Sequence, residues 1–459
     1  MEETTPLLGR ADSSRARSIV ILLSLVVFCL SCFGSLGSVP LNRLLEDRIC
    51  RRYGADYARL SFIDEQVCKA DAVQSQLAHL NGLLDTLEAV VGLLVAFPYG
   101  ALSDKVGRKP IILLSITGFT LSSAWIAHIL AHQETSIQAI LLAPVFFLIG
   151  GGRHVTFSTL FSAVSDVTTH ENRHVITPSI FMGGVIGPVV SSGLMQVASP
   201  WLPFLLSFGM GLIGAIILLL VPETLPLDKH EQDDDPVHDK TAVLPGHHLS
   251  LLRASLSMLW HPKLALILVT FLAPMPMSTA ANQFLVQYIS KRFGWSMADA
   301  GYLQSIRGAI NVFLLLAILP FLSRLLKDRT LARLSALAMT LGCLLMAGSS
   351  MPLLVTGLII NTLGNGLAPL CRSLAASLVA HHEQARLQTL IAMVEASGSL
   401  LAGPTLAAAL STGMRMGGDW MGIPYFALAI FLFLTTFPLF LLSRLGETIE
   451  AKDHHDQDV

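Results

Sequence analysis

Residues 423–443, IPYFALAIFLFLTTFPLFLLS, contain no charged side chain. A helix built from them has no polar face to show water. A run of about 20 apolar residues spans a bilayer as a helix, and lipid requires the backbone to satisfy its own hydrogen bonds. The run MGLIGAIILLLV at 210–221 imposes the same constraint. Across the 459 residues only 14% are charged; soluble chains carry roughly 25%, so this one cannot cover an ordinary water-facing surface. With a mean hydropathy of +0.62, the chain reads as an all-α, multi-pass membrane protein.

Twelve apolar blocks follow one another, near 18–41, 79–101, 110–131, 137–161, 174–196 and 201–221, then 262–288, 299–322, 330–349, 352–378, 387–411 and 423–443. The acid- and His-rich segment between the sixth and seventh reads as a flexible linker. The organisation expected is an N-terminal tail at 1–17, a six-helix bundle at 18–221, a linker at 222–261, a second six-helix bundle at 262–443 and a C-terminal tail at 444–459. Lys and Arg outside the spans favour the side that carries both termini, which places the tails and linker in the cytoplasm. The opposite side concentrates its basic residues, Arg43, Arg48, Arg51, Arg52, Arg59 and Lys69, in the 42–78 loop, among acids. Trp201, Trp260 and Trp420 fall at span ends, as an aromatic belt requires. No cleavable signal precedes the first block. The tail's E-T-T-P-L-L has the acidic-dileucine spacing of vacuolar and endosomal sorting; the plasma membrane leads, with those membranes as the alternative.

Cys50 and Cys68 lie in the same 42–78 loop, where an oxidising face permits a disulfide; two free thiols are the alternative. Cys29, Cys32, Cys343 and Cys371 fall within spans and behave as small hydrophobes. The His247-His248, His381-His382 and His454-His455 pairs lack the spacing of a metal site. No phosphate-binding G-x-x-x-x-G-K-[ST] loop is present. No metal, cofactor, nucleic-acid partner or enzymatic constellation is expected.

Between the second and third blocks stands Gly100-Ala-Leu-Ser-Asp104-Lys105-Val-Gly107-Arg108-Lys109. Gly100 is suited to a close helix approach, Gly107 to a turn with permissive φ, and Asp104 to a helix N-terminus. The string resembles the G-x-L-x-D-x-x-G-R-K signature of the major facilitator superfamily, and Pro222-Glu223-Thr224 follows the sixth block as it does there. LEAVVGLLVAFPYG, SPWLPFLL, GYLQSIRGAINVFLLL and RLQTLIAMVEASGSLLAGP resemble fungal members distantly akin to proton-coupled folate-type carriers. The resemblance implies two pseudo-symmetric six-helix bundles rocking about a central site, the chain acting as a monomer. It makes Gly100, Asp104, Gly107, Arg108 and Lys109 a cytoplasmic latch, with Asp104 meeting the eleventh helix near Arg386 and Arg108 pairing with Asp104. Asp166 is a third partner. The equivalent loop in the second half, SRLLKDRTLAR, keeps the cations but lacks both glycines.

A charge at the bilayer centre costs at least about 2.5 kcal/mol and therefore faces a cavity or a partner. The spans contain Asp85, Glu88 and Glu395 opposite Arg153, Arg307 and Arg372. Asp85 and Glu88 share one face of the second helix. Glu88 leads as the proton-coupling group, followed by Asp85 and Glu395; structural ion pairing is the alternative for each. Arg153, Arg307 and Arg372 are candidates for an anionic substrate group, and Arg307 or Arg372 alternatively pairs with Glu395. The resemblance makes the first, fourth, seventh and tenth helices line the cavity. Pro274 and Pro276 should break the seventh, and Ser278, Asn282, Gln283, Asn361 and Asn365 are candidate hydrogen-bonders to substrate, polar contact between helices being the alternative.

Gly183-Gly184-Val-Ile-Gly187-Pro188 partly matches the G-x-x-x-G-P signature of drug-exporting facilitators, with Ser191 and Ser192 where glycines are expected. The expected function is a secondary active transporter coupling efflux of a small organic compound, such as a fungal secondary metabolite or toxin, to protons. Proton-coupled uptake of an organic anion or nutrient is the runner-up, and a non-transporting sensor the third reading.

Overall fold

A computed structural model describes residues 10–53, 62–167, 176–224, 262–273, 276–277, 283–379 and 384–441. Its helices are α1 (Arg10–Cys50), α2 (Asp71–Val106), α3 (Arg108–Ala131), α4 (Gly152–Val167), α5 (Ile176–Val197), α6 (Trp201–Leu220), α7 (Pro262–Thr270), α8 (Leu285–Phe293), α9 (Met297–Leu325), α10 (Asp328–Met346), α11 (Met351–Ala376), α12 (Gln384–Met416) and α13 (Ile423–Thr436). Among the described residues nine helices are long and apolar enough to cross a membrane, and Ile137–Leu148, Val155–Val164 and Phe181–Val197 are shorter apolar helices. Among the described residues each of the twelve blocks of the sequence contains helix, the seventh in α7 and α8. Val197, Leu220, Leu325 and Leu434 are more than 60% exposed, as side chains facing lipid are.

The first two spans differ from their expected bounds. α1 continues nine residues past 41 to Cys50, and α2 starts at Asp71 rather than 79. Charge ends a membrane span but not a helix: Arg43 pairs with Glu46 at 2.9 Å and Arg51 with Asp47 at 2.7 Å, three and four residues apart, spacings that support helix.

Two compact units emerge. One comprises 1–80, 87–232 and 289–309; the other comprises 81–86, 233–288 and 310–459. In the first, α1 packs along α5 and α6, and Leu23, Val26, Ile112, Ile116, Leu160 and Leu218 build a buried core. The α1–α5 crossing is close because Gly183 and Gly187 leave room for Ser31 and Ser35, and Ser35 Oγ donates to the Gly183 carbonyl at 2.8 Å. The fourth span is interrupted. A 3₁₀ segment, Ile137–Leu148, meets α4 through Gly150, Gly151 and Gly152, whose φ angles are 84°, 87° and 64°. Side chains rarely tolerate that region, so three glycines in succession make the break.

In the second unit α10 packs against α11 and α13. Gly342 and Gly357 face each other there, a Cβ on Gly357 falling 2.7 Å from the Gly342 carbonyl. Tyr288 and Tyr425 meet edge to face at 4.8 Å. Gly82 and Gly403 bring α2 against α12 so closely that a Cβ on Gly82 would lie 2.6 Å from the Gly403 carbonyl. The tenth span is also interrupted, by a 3₁₀ turn at Gly364–Gly366. α7 ends at Thr270 and α8 begins at Leu285; between them Pro276 is buried, and Pro274 lies outside the described residues.

Candidate functional site

The intramembrane charges are brought together within each unit. In the first, Arg153 opens α4 directly after the three glycines, and its guanidinium reaches Glu88 on α2 at 3.2 Å. The Arg153 side chain is 57% exposed and that of Glu88 26%. In the second unit Arg372 on α11 donates to both carboxylate oxygens of Glu395 on α12 at 2.8 Å. The Glu395 side chain is only 12% exposed while Arg372 is 45% exposed. Of the two partners open to Glu395 in the sequence, Arg372 holds it. Arg307 is partly buried on α9 beside Gly308, where a Cβ would lie 3.1 Å from the Gly184 carbonyl.

Asp85, one helical turn before Glu88, accepts a hydrogen bond from Gln283. Asn365 Nδ2 donates to Asn311 Oδ1 at 3.0 Å, a polar pair joining α11 to α9. Asn361 is fully buried, and its amide donates to the Met339 carbonyl at 3.0 Å. That amide is committed to the α10–α11 packing rather than presented to a cavity. Ser278 and Asn282 lie outside the described residues.

The hairpin between α2 and α3 is built around Gly107, whose φ of 107° turns the chain. Glu223, just beyond α6, accepts hydrogen bonds from the amides of Arg108 at 2.8 Å and Lys109 at 3.2 Å. Those are exposed donors at the first turn of α3, where a carboxylate is favoured by both hydrogen bonding and the helix dipole. A Cβ on Gly107 would sit 2.5 Å from the Glu223 carboxylate, so the glycine serves the turn and the cap together. Lys109 Nζ reciprocates, donating to the carbonyls of Leu219 and Val221 at the end of α6 at 2.7 and 2.8 Å. Arg108 reaches Asp166 at 3.2 Å and the Ser103 hydroxyl at 2.9 Å. The side chains of Asp104 and Arg386 lie outside the described residues.

One sequence expectation changes. A side chain at Gly100 would meet nothing within 4 Å among the described residues; the close approach on α2 occurs at Gly82 instead, because that face turns toward α12. Glu223 was legible only as part of a family-like Pro-Glu-Thr string. Its role as the cap of α3 needed knowledge of which helix end lies beside it. In the 42–78 loop, Cys50 and Cys68 are joined by a disulfide with Cα atoms 5.4 Å apart.

The chain matches the family model described as Major Facilitator Superfamily over residues 75–403. It is 28% identical over 412 residues to the MFS efflux pump atnC of Emericella nidulans, covering 84% of this chain and 80% of that one. It is 24% identical to the class D tetracycline resistance protein of Salmonella ordonez, over 75% of this chain and 83% of the relative. Among solved structures, the human organic anion transporter MFSD10 superposes with a TM-score of 0.61 at 22% identity, covering 92% of this chain and 99% of its own. A helical membrane architecture, the Gly100–Lys109 hairpin and a match over most of the length converge on one family of small-molecule transporters: the chain belongs to the major facilitator superfamily.

Proposed function

We propose that this transporter exports a small organic compound, of the secondary-metabolite or toxin kind, in exchange for protons. The observation that carries the reading is the Glu88–Arg153 pair, an acid and a base held at 3.2 Å across two helices with both side chains partly exposed. Such a pair has two states. A proton on Glu88 removes its charge and releases Arg153; loss of that proton restores the attraction. An isolated charge in a span is costly, so each state favours a different placement of α4 against α2, which is the coupling an exchanger needs. The efflux-pump and tetracycline-resistance relatives and the partial G-x-x-x-G-P string support the outward direction. Charge distribution supports cytoplasmic termini, and the plasma membrane is the membrane this reading assigns, with vacuole or endosome as the alternative. The protein works as a monomer, its two six-helix bundles at 18–221 and 262–443 rocking about the site.

A second reading, proton-coupled uptake of an organic anion, draws on the half-exposed Arg153 and Arg372 guanidinium groups, which suit a carboxylate or phosphate. Proteoliposomes with an imposed pH gradient, challenged with tetracycline and a panel of organic anions, distinguish the two. Compound-dependent proton movement opposite in direction to the compound supports export, and movement in the same direction supports uptake. Proton flux unaffected by every compound, or full gradient-driven accumulation by Glu88→Gln, overturns the coupling assignment.

A further inference from the structure

At the end of α1 remote from the N-terminus lies a cavity of about 300 Å³, enclosed by that helix, the end of α3 and the start of α6. Its charged lining is Arg48, Arg51 and Asp47, two cations against one acid. The acid is already committed: Asp47 Oδ2 accepts from Arg51 at 2.7 Å, and Oδ1 accepts the Ile63 amide at 3.0 Å. The lining therefore carries one positive charge in excess, and it sits on Arg48.

Dipoles alone hold that guanidinium. Arg48 Nη2 donates to the carbonyls of His132 at 2.9 Å, of Gln133, and of Thr135 at 3.0 Å, just past the end of α3. Its Nε has no hydrogen-bond partner among the described residues, although Arg48 is only 8% exposed. Carbonyls at a helix end offer a fraction of a charge, and a cation taken out of water calls for a full one. α6 adds to the positive field, since it begins at Trp201, on the cavity wall, without a side-chain cap. The rest of the wall is apolar or aromatic, formed by Leu44, Phe62, Leu130 and Trp201. The volume is larger than a bare inorganic anion needs and lies at the lower end of the range for small organic ligands.

We infer that this cavity binds an organic anion, with a phosphate or carboxylate group balancing Arg48 and a small apolar body against Leu130 and Trp201. Its lining shares no residue with the Glu88–Arg153 or Arg372–Glu395 pairs, so it is a site apart from the one proposed for transport. Two sources present the required chemistry. One is the headgroup of an anionic phospholipid, close at hand because Trp201 stands at a span end; the other is a soluble organic anion. Either would bridge the ends of α1, α3 and α6. The inference depends on neither the cargo, the direction nor the coupling of transport.

The test uses full-length protein in phosphatidylcholine nanodiscs, with Gln133→Cys as a reporter in the cavity wall. Gln133 is exposed there, and its backbone carbonyl rather than its side chain holds Arg48. The native cysteines are buried or bridged, so an uncharged, water-soluble maleimide reads position 133. Hexyl phosphate should slow labelling about tenfold at a concentration where hexanol, the same chain without the charge, has no effect; a charge-assisted hydrogen bond supplies a preference of that size. Arg48→Gln should raise the hexyl phosphate needed by at least about tenfold. Equal protection by the two compounds, protection by neither, or protection undiminished in Arg48→Gln overturns the site. The comparison of compounds in the parent decides the matter even where Arg48→Gln fails to fold. Discs doped with phosphatidylglycerol then identify the source. Labelling already slow before any addition assigns a lipid headgroup, and fast labelling that hexyl phosphate still slows assigns a soluble anion. No readout involves transport, so a negative result leaves the export reading standing.

Discussion

The two arginine–glutamate pairs use the same ingredients to opposite ends. Arg153 and Arg372 each follow an interrupted helix, one broken at Gly150–Gly152 and the other at Gly364–Gly366. Yet Arg153 meets a single oxygen of Glu88 at 3.2 Å, with its guanidinium mostly in the open. Arg372 bonds both oxygens of a nearly buried Glu395 at 2.8 Å. A carboxylate shielded from water depends on its partner, whereas one reached by water can lose its partner and be resolvated. On the proposed export reading the first pair is the one that changes state, while the second holds α11 against α12.

The largest consequence falls on transport. Glu88→Gln should lower gradient-driven transport about 100-fold, as loss of an essential proton carrier does, with little change in thermal stability. Glu395→Gln should leave at least about a tenth of the rate and lower the unfolding temperature instead. Vesicle flux read beside a melting curve checks both, and the reverse pattern would exchange the roles assigned to the pairs. Next comes stability alone. Arg372→Ala strands Glu395 and should cost about 1–3 kcal/mol, discounted from a fully buried pair because the arginine is half exposed. Arg153→Ala should cost under about 1 kcal/mol. Denaturant titration in detergent compares them, and equal losses would erase the distinction.

Much of this was legible in the sequence, for identifiable reasons. The run 423–443 had no polar face, so its helix was fixed by hydrocarbon alone. The charges at 85, 88, 153, 372 and 395 stood out because lipid penalises each. Their pairing was not legible: Glu395 had Arg307 and Arg372 as equal suitors, and only the packing of α11 on α12 chose between them. The extension of α1 to Cys50 was hidden because hydropathy reports the membrane boundary, while Arg43–Glu46 and Asp47–Arg51 carry helix beyond it. Glycine was the least readable residue. Gly107 declared itself through a turn, but whether Gly82 or Gly100 met a neighbour depended on which face α12 covers. Asn361 looked like a ligand for substrate and is spent on a backbone carbonyl.

The hairpins that join α2 to α3 and α9 to α10 repeat the comparison at a smaller scale. In both, a cation near the start of the later helix donates to carbonyls at the end of another: Lys109 to Leu219 and Val221, and Arg333 to Leu439 at 3.0 Å. The first hairpin adds the Glu223 cap and the Arg108–Asp166 pair, where the second has Asp328 with the Ser373 hydroxyl at 3.3 Å. Glu223→Ala should cost about 1 kcal/mol, the usual worth of a helix cap, and should speed amide exchange at Arg108 and Lys109. Asp328→Asn should cost less than about 0.5 kcal/mol, since the bond it weakens is long and exposed and Asn retains an acceptor. Exchange measured on both hairpins in one preparation decides the matter. If Asp328→Asn loosened its hairpin as much as Glu223→Ala loosens the first, the second half would carry a lock of equal strength, despite lacking the turn glycine that lets a carboxylate approach the helix end so closely.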